Sequence, residues 1–294
     1  MYAGDFKSAE ARARELLELD STHYMAWLPI AIGALAIGDV EQATLNYEAM
    51  AELGARGASL ANLGLADIRL YRGEFSAAVN LLRSGLADDT ESDNREAIAT
   101  KTIVLAQALA DLGDEHASRQ AIEDALAVRG GLSRQVPAAL LYLQLGDVDA
   151  ATAIATGLSE QLQPQSRAYA NMILGIIESQ AGRHVTALEH LQEAVELSDF
   201  WLVRFYLGQA YLAAGAAVEA NDEFMLCEQR RGEASAIFLN DLPTWRYMAT
   251  LPYWLGRAQE AIGMSHAAAD HYRLFLSNYQ GKTPLVEDAA ARVP

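Results

Sequence analysis

The sequence predicts an all-α solenoid built from antiparallel helix pairs. Three features of the 294 residues carry this prediction. A glycine recurs at regular intervals, a small residue follows it five positions later, and a large apolar residue usually follows four positions after that. A period of this length is typical of stacked helical hairpins, each of which buries its apolar face against its neighbours.

The recurring glycine predicts the turn inside each hairpin, because glycine readily adopts the left-handed backbone conformation that ends a helix. Successive glycines are 34, 35, 40, 33, 36, 33 and 48 residues apart. They are Gly4, Gly38, Gly73, Gly113, Gly146, Gly182, Gly215 and Gly263.

The small residues predict where the two helices of a hairpin approach closely, since only a small side chain leaves room for contact. Those of the second helices are Ala9, Ala43, Ala78, Ser118, Ala151, Ala187, Ala220 and Ala268. Those of the first helices are Ala31, Ala66, Ala106, Ala139, Gly175, Gly208 and Gly256. The large residues that complete the second-helix face are Tyr47, Leu82, Ile122, Leu191, Phe224 and Tyr272.

In chain order, the pattern predicts one solenoid over residues 1–294 with about seven and a half units. The residues at 88–94 are predicted to form an acidic linker that caps the next helix. Gly130-Gly131 is predicted to interrupt the helical pattern. Pro137 is expected in the first turn of its helix. The parts are a half repeat at 3–20, helix pairs at 22–54, 57–87, 94–128, 132–159, 165–197 and 200–231, an insertion at 232–244, a last pair at 245–278 and a tail at 279–294.

These motifs resemble those of the tetratricopeptide repeat (TPR) family over about residues 3–280. The clearest copy is Leu207-Gly208-Gln209-Ala210-Tyr211, followed by Gly215, Ala220 and Phe224. The resemblance implies a right-handed superhelix whose concave surface is lined by first-helix residues. Ser118 departs from the family's alanine, and Pro29 and Pro137 fall inside first helices.

A second, narrower resemblance covers Asn240 to Ala291. It rests on Asp241–Tyr247, Pro252–Glu260, Tyr272–Leu276 and Thr283–Ala290, which look like the end of the TPR region in large bacterial serine/threonine kinases or TPR-bearing transcriptional regulators. In such proteins a catalytic or DNA-binding domain comes first. Since residues 3–20 supply only a second helix, we expect the chain to be part of a longer protein.

The concave surface implied by the TPR resemblance would be lined mainly by apolar side chains, which suits a peptide or an amphipathic helix. The alternative is that each of these residues packs against neighbouring helices. The family's Lys/Asn/Arg clamp for a terminal carboxylate is missing, and Arg257 is the one cation among the residues expected to line the groove. These residues are Leu28, Ile32, Leu35, Leu63, Asp67, Tyr71, Ile103, Gln107, Leu140, Met172, Ile176, Phe205, Gln209, Tyr253 and Arg257.

The insertion allows two interpretations. The first is an ordered loop that folds over the solenoid, and the second is an exposed aromatic contact site formed around Ile237–Trp245.

Charge and composition exclude several functions. A formal net charge of −17 disfavours nucleic acids and anionic membrane surfaces. Gly281-Lys282-Thr283 lacks the first glycine of a phosphate loop, because Leu276 stands in its place. The six histidines have no metal-ligand spacing, and Cys227 is expected to be buried and inert. We therefore expect no cofactor, no metal and no catalytic site.

The expected partner is a protein or peptide. The leading hypothesis is a regulatory or sensor region of a larger bacterial signalling protein. The alternative is a stand-alone scaffold or homo-oligomerisation module. The sequence contains no signal peptide or membrane span and leaves the compartment open, either cytoplasmic or the extracytoplasmic part of a membrane-anchored protein.

Overall fold

The computed structural model describes residues 5–128, 130–240 and 242–293. Within these ranges every regular element is helical. Ala3 and Gly4 of the predicted half repeat, Asp241 of the insertion and Pro294 of the tail lie outside the described residues.

The chain forms two compact units, and unit 1 is discontinuous because it combines residues 1–133 with 230–246. Consecutive helices of this unit pack against one another. They are α1 (Phe6–Leu19), a 3₁₀ turn (Tyr24–Ala26), α2 (Trp27–Ile37), α3 (Val40–Ala51), α4 (Ala55–Tyr71), α5 (Phe75–Glu91), α6 (Arg95–Asp111) and α7 (Glu115–Ala127).

Unit 2 comprises residues 134–229 and 247–294. Its helices are α8 (Leu132–Gln144, whose first two residues belong to unit 1), α9 (Val148–Ser159), α10 (Pro164–Gln180), α11 (His184–Leu197), α12 (Trp201–Ala213), α13 (Ala217–Gln229), α14 (Leu251–Ala261), α15 (Ser265–Asn278) and α16 (Pro284–Arg292). Its consecutive helices from α9 to α16 pack against one another.

The predicted glycine turns are confirmed wherever the structure describes them. Each of these glycines has a positive φ between its two helices, as at Gly38, where φ is 85°. The others are Gly73, Gly113, Gly146, Gly182, Gly215 and Gly263.

The predicted close approach within each hairpin is also confirmed. A methyl group at Gly208 would lie 2.6 Å from Phe224 Cε1, and one at Gly256 would lie 2.6 Å from Tyr272 Cε1. A side chain does not fit at that distance, so the small residue of α12 or α14 is required by the aromatic ring of the paired helix.

Three elements differ from the sequence prediction. Helix α5 runs through Glu91, so most of the expected acidic linker is helical, because Asp89 is buried and paired with Lys101. The predicted cap is confirmed at Asn94, whose Oδ1 accepts from the backbone of Ala97.

Pro137 lies in the second turn of α8 rather than the first, because the helix begins directly after Gly131. The predicted tail contains α16, whose Ala289 is fully buried against the preceding helix pair. Its proline stands at the start of the helix, where a missing N–H costs nothing.

Candidate functional site

Most of the residues expected to line a groove are buried in the core of their own unit. They are Leu28, Ile32, Leu35, Leu63, Asp67, Ile103, Met172, Ile176, Phe205 and Tyr253. The reason is that first helices contact one another as well as their partners: α4 packs on α6, α10 on α12, and α12 on α14. The alternative raised by the sequence, packing against neighbouring helices, therefore describes these positions. Leu63, which is 4% exposed, also contributes to the lining of a cavity.

The remaining expected lining residues are half-buried: Tyr71, Gln107, Leu140, Gln209 and Arg257. Most are already engaged. Gln107 Nε2 donates to Asp111 over 3.0 Å, and Arg257 Nη1 donates to the Tyr253 hydroxyl over 2.9 Å. That hydroxyl in turn donates to Asp288 of α16. The expected groove cation thus belongs to a network that holds α14 to α16.

The described part of the insertion packs within unit 1, and we call residues 230–240 and 242–246 the arm. It contains a 3₁₀ helix, Arg231–Ala236, and its Ile237 and Trp245 are buried. The ordered-loop interpretation is therefore confirmed, and the interpretation as an exposed aromatic site is wrong for these two side chains.

Asp67, one of the expected groove residues, holds the arm. Its carboxylate is fully buried on α4 and accepts from the backbone N–H of Trp245 over 2.7 Å and from Arg246 Nη1 over 2.7 Å. Burial raises the pKa of Asp67, while Arg246 acts in the opposite direction. The centre of the Trp245 ring lies 5.8 Å from that of the Tyr71 ring. Asp67 and Tyr71, both expected to line a groove, therefore contact the arm instead.

The other end of the arm is fixed on α1 and α2. Arg231 Nε donates to the carbonyl oxygen of Ala36 over 3.2 Å, and its Nη2 donates to the carbonyl oxygen of Ile37. These carbonyls lie at the end of α2, where the helix dipole favours a cation. Gly232 approaches so closely that a methyl group there would lie 2.3 Å from Phe6 Cε2.

An open cavity of about 860 Å³ lies beside the arm within unit 1. Its apolar lining comes from Tyr24, Met25, Leu60, Leu63 and, on the arm, Leu242. Its polar lining includes Arg56, Ser59, Asn94, Thr100, Lys101 and, on the arm, Asn240. The cavity therefore combines an apolar patch with polar groups from α4, α6 and the arm.

A buried ion pair connects the helices that line the cavity. Lys101 Nζ binds the Asp89 carboxylate and donates to Ser59 Oγ over 2.9 Å, which ties α6 to α5 and α4. Burial lowers the pKa of Lys101, and the bond to Asp89 opposes that shift. Because Ser59 Oγ accepts from the ammonium group, its own hydrogen is directed elsewhere.

Three hydrogen-bond donors in the cavity lining have no partner among the described residues. Asn94 Oδ1 accepts from Ala97, and Asn240 Oδ1 accepts from the backbone of Leu242 over 3.3 Å, so both amide NH₂ groups remain without a partner among the described residues. The hydroxyl of Thr100 is likewise unpartnered within the described ranges, although the residue is only 4% exposed. These groups can therefore donate to a ligand that supplies acceptors.

Sequence reasoning missed Ser59, Thr100, Lys101 and Asn240. A signal existed for Lys101, one of three lysines in the chain, because it interrupts a run of buried α6 residues. Asn240 lines the cavity because the arm packs against helices that are distant in the sequence. No local sequence pattern predicts that packing.

Solved structures with the same fold cover almost the whole chain. A tetratricopeptide repeat protein from Parabacteroides merdae ATCC 43184 matches 92% of this chain and 99% of its own, with 16% identity and a TM-score of 0.51. Human IFIT1, in the structure of its dimer with PPP-AAAA, matches 91% of this chain and 62% of its own, with 19% identity and a TM-score of 0.54. The chain has the TPR fold.

The TPR chain spans less than two thirds of some of the proteins that it matches. It covers 46% of the matched chain in the Cut9–Hcn1 hetero-tetramer, at 14% identity and a TM-score of 0.46, and 62% of IFIT1. No protein-family model matches the sequence, and no curated protein matches it. Among the described residues, no helix is long and apolar enough to cross a bilayer.

The TPR fold accounts for the serine that replaces alanine in α7. Ser118 is fully buried, and its hydroxyl donates to the carbonyl oxygen of Ala106 over 2.8 Å. The polar atom is therefore satisfied within the hairpin, and the small volume that the TPR packing requires is preserved.

Proposed function

We propose that this chain is a non-catalytic protein-interaction module that binds a peptide segment of another protein in the cavity of unit 1. The observation that supports this proposal is the cavity itself, in which apolar side chains adjoin hydrogen-bond donors without partners among the described residues. Peptide sites combine apolar pockets for side chains with polar groups that fix the main chain.

The unpartnered donors of the lining favour an extended peptide over a helix. An amphipathic helix has bonded most of its carbonyl oxygens internally and offers few acceptors to Asn94, Asn240 or Thr100. An extended segment presents its carbonyl oxygens, and every second side chain can reach the apolar patch around Leu60. The proposed ligand is therefore an extended segment with at least one large apolar side chain.

Peptide selection tests this proposal. Random dodecapeptides displayed on phage are panned against the full chain, and enriched sequences are synthesised with a fluorophore for anisotropy titrations. Leu60→Asp places a charge in the apolar patch and should weaken binding at least tenfold. Leu45→Asp is the matched control, because Leu45 is 57% exposed on α3 and does not line the cavity. Equal affinity for the Leu60→Asp variant and the wild type would show that the peptides bind elsewhere.

RNA is not the ligand in this proposal, although IFIT1 structures contain PPP-AAAA or m7Gppp-AAAA. The net charge of −17 opposes a polyanion, and Asp93 and Glu96 add carboxylates to the cavity lining. Triphosphorylated tetra-adenylate, labelled and titrated in the same anisotropy assay, should show no binding at low salt.

We also propose that the module serves as a regulatory or sensor region within a larger bacterial signalling protein. The resemblance of residues 240–291 to the TPR regions of bacterial kinases supports this context. An immunoblot of the source cells should give a band well above 31.8 kDa, the mass of this chain. A band at that mass would favour a stand-alone scaffold or oligomerisation module instead.

A further inference from the structure

The arm supplies one side of the cavity. Asn240 and Leu242 line it from the arm, together with residues of α4 and α6. The position of these two residues depends on the contacts that hold the arm, above all the one between Asp67 and Arg246. Asp67 itself does not line the cavity.

The docked arm carries identifiable costs. Leu239 has a φ of 53°, a left-handed conformation that is strained for a leucine. Trp245 Nε1 is buried and has no hydrogen-bond partner among the described residues. Both features reduce the free-energy difference that favours the docked arm over the released arm.

From these observations we propose that the arm is a movable wall of the peptide site, and that Asp67 controls the affinity for peptide from outside the site. This inference rests on the proposed function. A peptide that touches Asn240 and Leu242 binds only the docked arrangement, so the peptide stabilises docking and docking strengthens binding to the same extent. If the arm is docked only part of the time, the apparent affinity equals the intrinsic affinity multiplied by the docked fraction.

Two measurements on the full chain test the coupling. Hydrogen exchange over residues 230–246 reports arm docking without any ligand, and anisotropy with a phage-selected peptide reports affinity. Asp67→Asn removes the charge that binds Arg246 and retains a polar side chain of the same shape. Glu41→Gln is the matched control, since it neutralises an exposed carboxylate that pairs with Arg72, the residue that follows α4.

We expect Asp67→Asn to speed exchange throughout the arm and to weaken peptide binding about tenfold, with circular dichroism unchanged. Glu41→Gln should alter neither quantity, and added peptide should slow arm exchange in the wild type. Leu239→Gly provides a second variant that does not disturb the core, because Leu239 is 42% exposed. It relieves the left-handed strain and should strengthen peptide binding while slowing arm exchange.

The outcomes separate the two proposals. Faster hydrogen exchange in the arm of Asp67→Asn, with unchanged peptide affinity, would overturn the proposal that arm docking controls binding. The proposed peptide site would not be affected by that result. If Asp67→Asn fails to fold, unchanged affinity and exchange in Leu239→Gly would overturn the arm-docking proposal equally. Failure to select any peptide that is sensitive to Leu60→Asp would overturn the proposed function, and the coupling with it.

Discussion

Asp67 of α4 is paired with Arg246, a residue 179 positions further along the chain, through a 2.7 Å bond to the guanidinium group. The two side chains are 1% and 8% exposed. Helical repeats rely mainly on contacts between neighbouring units, so a buried ion pair over this separation is an addition to the usual solenoid packing. It gives unit 1 a long-range connection that the repeat pattern does not contain.

Removing one partner of this pair should be strongly destabilising. Asp67→Asn leaves the Arg246 charge buried without its counterion, a change that typically costs about 3–5 kcal/mol. Urea unfolding followed by circular dichroism would measure this loss, and the double variant with Arg246→Met should lose less than the sum of the two single variants. A strictly additive cycle would mean that the pair contributes no coupling.

The packing of α12 on α13 predicts a contrast between two glycines. Gly208→Ala should lower the free energy of unfolding by about 1–3 kcal/mol, because its methyl group meets the ring of Phe224. Gly157→Ala in α9 should instead raise it by about 0.5–1 kcal/mol, since nothing lies within 4 Å and alanine favours the helix. Equal urea midpoints for the two variants would contradict the predicted packing.

Alkaline pH should destabilise the folded chain. Burial raises the pKa of Tyr47, Tyr169, Tyr206 and Tyr272, whereas the same tyrosines ionise near pH 10 when unfolded. The folded state therefore keeps these protons, and its stability falls as the pH rises above about 10. Lys101, with a lowered pKa, acts in the opposite direction but is a single group.

Tyrosinate absorbance at 295 nm checks this prediction. A fraction of the tyrosines should titrate only when the chain unfolds, and the urea midpoint should decline between about pH 9.5 and 11. Titration of all twelve tyrosines in the folded chain with a common midpoint would show that the buried rings are accessible.

The thiol of Cys227 should react slowly with a thiol reagent under native conditions. It is 1% exposed, and the backbone carbonyl of the same residue accepts from Trp201 Nε1 over 2.9 Å. Trp201→Phe removes this donor and should accelerate labelling by dithionitrobenzoate through easier opening of the α12–α13 pair. Trp27→Phe is the control, because the indole N–H of Trp27 has no partner among the described residues.

The repeat could be predicted from the sequence because each unit imposes the same local requirements. The positive φ at Gly38 and the small volume at Gly208 depend on neighbours within a single hairpin, and both were predictable from spacing. The lining of a groove was harder to predict, because Leu28 or Phe205 can face either a ligand or the next first helix. That choice depends on packing between units and, around Asp67, on a segment far away in the sequence.

The discontinuity of unit 1 has a consequence for synthesis on the ribosome. The helices from α1 to α7 emerge early, but the segment that neutralises Asp67 is translated more than a hundred residues later. At about 5–20 residues per second, this delay is on the order of ten seconds. During that interval the nascent chain exposes the apolar faces of α1, α2 and α4 that the arm later covers, and this is the stage at which a chaperone would have the most surface to bind.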